Sequence, residues 1–195
     1  SGDSVIMVRL LTVSIALLLS ACVTVPTTAP VGQFKGEAAL AVTLEKEWSV
    51  WPVDINGSTK GDYLTKDGPL LNRVHLVTLE DGEAFAKAER GADLPVYSAA
   101  MSELEIVDFV NKSIERIGYN SVTPKDIRPV EIDSVEGVRF DLTGKLETGL
   151  NIKGTAAAAA ANQQLHLILF LAPALHYYGA YIDEVDAIIA SADIQ

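Results

Sequence analysis

The stretch GLNIKGTAAAAAANQQLHLILFLA, residues 149–172, decides the fold. Six consecutive alanines, Ala156 to Ala161, favour a helix by intrinsic propensity. The flanks favour a strand. Leu150 and Ile152 alternate with polar neighbours, and the alanine run is too short before Asn162 to make a packed helix. From Leu165 to Leu171 the chain is apolar on both sides apart from His166, the pattern of a central strand covered on both faces. The stretch is therefore expected to be a hairpin, with small side chains that let a helix approach the sheet closely.

Working outward, the pattern before this hairpin is also strand-like. VEGVRFDLTG places Val138, Phe140 and Leu142 on an inner face and Arg139 and Asp141 opposite, and IRPVEI is a further strand. Glu37 to Leu44 alternates in part, with Leu40, Val42 and Leu44 to one side. LTKDGPLLNRVHLVTL reads as a hairpin turning at Asp67-Gly68, with Val74, Leu76 and Thr78 on one side. Two helices interrupt the strands. In MSELEIVDFVNKSIERIGY, Ser102 and Glu105 form a capping box, Val107, Val110, Ile114 and Ile117 share a face, and Gly118 is a left-handed stop. The last helix is expected to bury Leu175, Tyr178, Ile182, Val185 and Ile189, with Asp183, Glu184 and Asp186 outside. The expected class is α+β, a mainly antiparallel sheet of about six strands flanked by helices.

The layout from Gly36 to Ala192 resembles the PsbP-like α/β/α sandwich. LTKDGPLLNRV, the helix starting at MSELEIV, the strand EGVRFDL and the terminal helix ending IIASA carry the resemblance. It implies a fold and a non-enzymatic, interaction-type role, and it transfers no site residues.

One cysteine among 195 residues excludes an internal disulfide. Cys22 could be a core thiol, a nucleophile or an attachment point. Arg9 followed by the apolar run Leu10 to Leu19 has the length of a signal-peptide core and is too short to span a bilayer. Leu19-Ser20-Ala21-Cys22 resembles the lipobox of bacterial lipoproteins. The resemblance implies cleavage before Cys22 and acylation of that residue. Val23 stands where an Asp favours inner-membrane retention, so the resemblance leans toward the outer membrane, facing the periplasm. The expected organisation is a signal peptide over 1–21, a lipidated N-terminus and flexible Thr/Pro/Gly-rich tether over 22–35, and one globular domain over 36–195.

The formal net charge of −11 would be repelled by phosphate backbones, which argues against nucleic acid as a partner. His75, His166 and His176 lack metal-ligand spacing, and no Walker, Rossmann or Gly-x-Ser-x-Gly motif occurs, so neither a cofactor nor a metal is expected. Trp48, Trp51, Tyr97, Tyr177, Tyr178 and Tyr181 could line a pocket or interface, although core packing is the commoner fate of such residues. Three function classes follow. The leading one is a lipid-anchored envelope protein that binds a partner protein or scaffolds a complex. The alternatives are a small-ligand-binding lipoprotein with an aromatic pocket, and an envelope hydrolase.

Overall fold

The computed structural model describes residues 26–51, 61–86 and 93–195. The alanine stretch is a strand. β9 (Asn151–Ala161) pairs with β10 (Gln164–Pro173) along its whole length, Ala161 opposite Gln164 and Ile152 opposite Pro173. Asn162 and Gln163 join them with φ of 53° and 65°. Two successive positive φ values make a tight turn whose twist matches that of the paired strands. The helix propensity of alanine is overridden because β9 has a strand on each side. Its other neighbour is β8 (Val135–Leu146), which returns from β7 (Tyr119–Ile132) through Asp133 and Ser134, also at positive φ.

The other main-sheet strands are β1 (Thr27–Ala29), β4 (Trp48–Trp51), β5 (Asp62–Thr65) and β6 (Arg73–Glu80), giving an eight-stranded order β1-β4-β5-β6-β10-β9-β8-β7 with every pairing antiparallel. A separate three-stranded sheet, β11-β3-β2, comprises β2 (Gly32–Lys35), β3 (Leu40–Leu44) and β11 (Asp193–Ile194). The class is α+β, and the main sheet is larger than the six strands expected.

Side-chain alternation builds two cores. Ala156, Ala158, Leu165, Leu167 and Leu169 pack with Val138, Phe140 and Leu142 against helix α1 (Glu103–Arg116), which contributes Ile106, Val107, Phe109, Val110 and Ile114. Ala157, Ala159, Ile168 and Phe170 face the other way, toward helix α2 (Tyr177–Ala190) and the small sheet, with Leu40, Val42, Leu44, Val185, Ile188 and Ile189. The α1 capping box forms as expected. The Ser102 side chain accepts from the Glu105 amide, and the Glu105 carboxylate accepts from the Ser102 amide at 2.8 Å; Gly118 follows at φ 97°.

Three expectations are corrected. Residues 27–35 are not tether. Thr27, Thr28 and Ala29 pair with Val50, Ser49 and Trp48, Ala29 is buried, and Gly32 to Lys35 pair with Leu44 to Ala41. The open edges of β4 and β3 need backbone partners, and β-branched threonines suit that role as well as they suit a linker. The folded domain thus begins ahead of Gly36. Secondly, Leu175 is 84% exposed and precedes α2, because His176 at φ 76° interrupts the helical path; of the expected stripe, Val185 and Ile189 are buried and Ile182 is half-buried. Thirdly, β3 joins the small sheet and not the main one. Its approach is fastened by Asp62, whose carboxylate accepts from the amides of Glu37 (3.0 Å) and Ala38 (3.1 Å). Gly36 is needed there, since a Cβ would stand about 2 Å from that carboxylate.

Candidate interaction surface

The residues singled out in the sequence fall into three groups. Leu19, Ser20, Ala21 and Cys22 lie outside the described residues. Tyr97 is on the α1 side of the main sheet, buried, with its ring 6.3 Å from that of Phe109. Trp48 and the α2 tyrosines are on the opposite side. Trp51, three residues from Trp48 on β4, is half-buried opposite Tyr63.

Around α2 the tyrosines do separate jobs. Tyr178 stacks on Phe170 with ring centres 5.6 Å apart, and Lys153 sits 5.7 Å above its ring. Burial pushes its phenol up to about 12. Tyr181 lies 6.1 Å from Trp48 and donates to Asp67 at 2.6 Å; that hydrogen bond, more than burial, holds its phenol up at about 12. Both remain neutral phenols at physiological pH. Tyr177 packs edge-on to His176.

The β5–β6 turn is braced for this docking. Asn72, buried, accepts at Oδ1 from Thr65 Oγ1 and the Lys66 amide, and donates from Nδ2 to Asp67 at 2.7 Å. Lys66 lies 5.0 Å over the Trp48 ring and 3.4 Å from Glu184, which also pairs with Lys46 at 2.6 Å. Lys66 and Asn72 were not singled out from the sequence; Asp67 was expected only as a turn residue, and Glu184, expected outside, has a side chain only 12% exposed. The only signal was turn chemistry in TKDG, and the partner residues lie more than a hundred positions away. The arrangement fastens a hairpin tip to a helix, and the aromatic residues serve it as packing.

Two open concavities flank α1. One open groove of about 710 Å³ runs between residues 93–96 and the helix, lined by Val96, Met101, Asp108, Phe109, Lys112 and Arg116 among others. A second, about 440 Å³, lies between the helix and β7, lined by Leu104, Val107, Asn111, Val122, Pro124 and Ile127. Both share Asp108, Lys112 and Glu115. Val96 (48%), Leu104 (67%) and Ile127 (45%) stand exposed at their rims. None of the six aromatic residues lines either groove.

No family profile matches the sequence, and no curated protein matches it in sequence. Solved structures match in fold. CyanoP, the cyanobacterial PsbP of Synechocystis, aligns with a TM-score of 0.54 at 8% identity, over 90% of this chain and 96% of that one. The fold is PsbP-like. A protein of Bacteroides thetaiotaomicron aligns with a TM-score of 0.50 at 8% identity over 86% of this chain and 49% of its own, so the chain spans about half the length of that protein. LpqN of Mycobacterium tuberculosis, described as involved in cell envelope biogenesis, aligns at 0.46 and 10% identity over 87% of this chain and 91% of that one.

His75 and His166 are fully buried in their strands. His75 stacks on Tyr63 at 4.9 Å. His166 Nδ1 is 3.2 Å from Thr78 Oγ1, which also accepts from the Ala39 amide, while Nε2 has no hydrogen-bond partner among the described residues. Burial lowers the affinity of His166 for a proton below the ordinary 6.5. The unfolded chain therefore binds this proton more readily, and the stability conferred by neutral His166 is lost as pH falls through about 6.5 toward the folded value. In urea melts, the stability of the native chain relative to His166→Gln should fall between pH 7 and 5. A constant difference would show that His166 does not titrate on unfolding.

Proposed function

We propose that the chain is a lipid-anchored envelope protein of non-enzymatic type, held by Cys22 in the outer membrane, that binds a partner protein on the α1 side of its PsbP-like domain. The observation that carries this reading is the apolar leader ending in Leu19-Ser20-Ala21-Cys22 immediately ahead of the fold. Thr27 is already strand-paired, so only Val23 to Val25 and Pro26 separate the anchor from the domain. Four residues reach about 13 Å at most, and the domain stays at the membrane. The α1 side offers the surface such a role needs: two open grooves, shared charged groups between them, and apolar residues at the rims.

Cys22→Ala should abolish fatty-acid labelling and move the protein from the membrane pellet to the soluble fraction. Labelling that persists in the variant would sink the anchor. A photo-crosslinking residue at Leu104, between the grooves and solvent, should yield a discrete adduct in intact envelopes, whereas one at Asp183 on α2 should not. Adducts at both positions, or at neither, would remove the α1 face from the proposal.

A further inference from the structure

Exposed apolar side chains gather at one end of the main sheet. Val31 (64%), Leu70 (76%), Leu150 (44%) and Leu175 (84%) are four of the seven large exposed ones among the described residues. The strand registers bring them together. β1 runs out past Ala29, opposite Trp48, toward Val31. Ser49 is opposite Thr65, after which the β5–β6 turn carries Leu70. Arg73 at the start of β6 is opposite Leu171 near the end of β10, and Leu175 follows that end. Pro173 is opposite Ile152, and Leu150 occupies the adjoining β8–β9 turn. The last two segments touch, the Ala174 amide donating to the Asn151 carbonyl at 2.9 Å. Neighbouring strands are about 4.8 Å apart, so Leu70, Leu175 and Leu150 project from adjacent segments.

Polar groups complete the end. A notch of about 350 Å³ is lined by Lys145, Lys153, Ser121 and Thr143 together with Asn151 and Ala174. Thr143 and Lys153 are directly opposed on β8 and β9, and both lysines are exposed. Two lysine and two hydroxyl side chains lining one notch suit a phosphate, with the Lys153 ammonium resting 5.7 Å over the Tyr178 ring, and the leucines of the adjoining segments suit acyl chains. Of the nearby acids, Asp67 is engaged by Tyr181 and Asn72, and Glu147 in the β8–β9 turn with Glu45 and Glu47 in the β3–β4 connection are the like-signed cost. The opposite end of the sheet carries Glu80, Asp81, Asp133 and Glu136, all exposed.

We propose that this end rests on the phospholipid surface of the membrane that holds the anchor, with Val31, Leu70, Leu150 and Leu175 entering the acyl boundary and Lys145 and Lys153 meeting headgroup phosphates. The inference rests on the reading of Cys22 as lipidated. The leash is long enough. Through the registers Thr27 is level with Val50, Leu64, Val74 and Phe170, and Phe170 is three residues from the end of β10, or about 10 Å. Pro26 is one residue farther from that end, about 13 Å, which the four residues back to Cys22 span when fully extended. With a chain of net charge −11, the leucines supply the attraction, and the docking operates on a zwitterionic bilayer.

The test uses the full acylated chain in phosphatidylcholine vesicles containing brominated acyl chains. A fluorophore is placed by Thr148→Cys, beside Leu150, or by Asn162→Cys at the opposite end. Quenching should be several-fold stronger at 148 than at 162. In a Leu70→Glu, Leu150→Glu, Leu175→Glu background, where only exposed side chains change, quenching at 148 should fall to the level at 162. Equal quenching at the two ends, stronger quenching at 162, or none at either would overturn the docking. Mass measurement of the N-terminal peptide in the same sample separates the two claims. A chain without acyl groups overturns the anchor, whereas an acylated chain without differential quenching overturns the docking alone.

Discussion

Replacing Phe170 by alanine should destabilise the domain by about 3–5 kcal/mol, the range for removing a buried aromatic ring from a core. Phe170 has no exposed surface, lies on a strand with a neighbour on each side, and stacks on Tyr178 of α2. The ring is thus the point where the central strand and the terminal helix meet, and nothing beside it can collapse into the space without moving α2. Leu175→Ala, by contrast, should change stability by no more than about 0.5 kcal/mol, because that side chain is already in water. Denaturant melts of both variants measure the difference. If Leu175 proved as costly as Phe170, the helix would begin earlier than Tyr177 and pack in another register.

The second large effect is overpacking of the alanine strand. Ala157 and Ala158 have no exposed surface and face opposite cores, α2 on one side and α1 on the other. Leucine at either position adds three carbons where a helix layer already lies against the sheet, and each variant should lose about 1–3 kcal/mol or more. Ala160, next but one to Ala158 and exposed, is the control, and Ala160→Leu should be nearly silent. The same melts decide it. Comparable losses at all three positions would indicate an effect on the β9 backbone, and silence at 157 and 158 would mean the helices do not approach the sheet as closely as the structure has them.

Much of this fold was legible in local pattern. The Ser102–Glu105 box, the α1 stripe, the Val138–Phe140–Leu142 face and the hairpin around Asn162 all depend on residues within a few positions of one another, and each formed where its pattern placed it. The errors share one cause. The pairing of Thr27 to Ala29 with β4, the transfer of β3 to a small sheet with β11, and the exposure of Leu175 each depend on which distant edge or surface is vacant. A short Thr/Pro-rich segment has the same composition whether it pairs or hangs free, and only the open edge of β4 decides between them.

The candidate surfaces divide in the same way. The pattern on which the proposed anchor rests is in the sequence alone, because a charged residue, an apolar run and small residues before Cys22 form a linear signal. The acidic balance, a formal net charge of −11, is likewise a property of the sequence alone. Only the tertiary structure decided what the aromatic residues do. Trp48 and Tyr97 went to opposite cores because Trp48 points from β4 to the α2 side of the main sheet while the segment before α1 lies on the other side, and Tyr181 found Asp67 across 114 positions. The structure alone gathered Val31, Leu70, Leu150 and Leu175 at one end, since four residues scattered over 144 positions become neighbours only when antiparallel registers align the segments that leave the sheet together. Chain position carries no information about that alignment; the hydrogen-bonded register does.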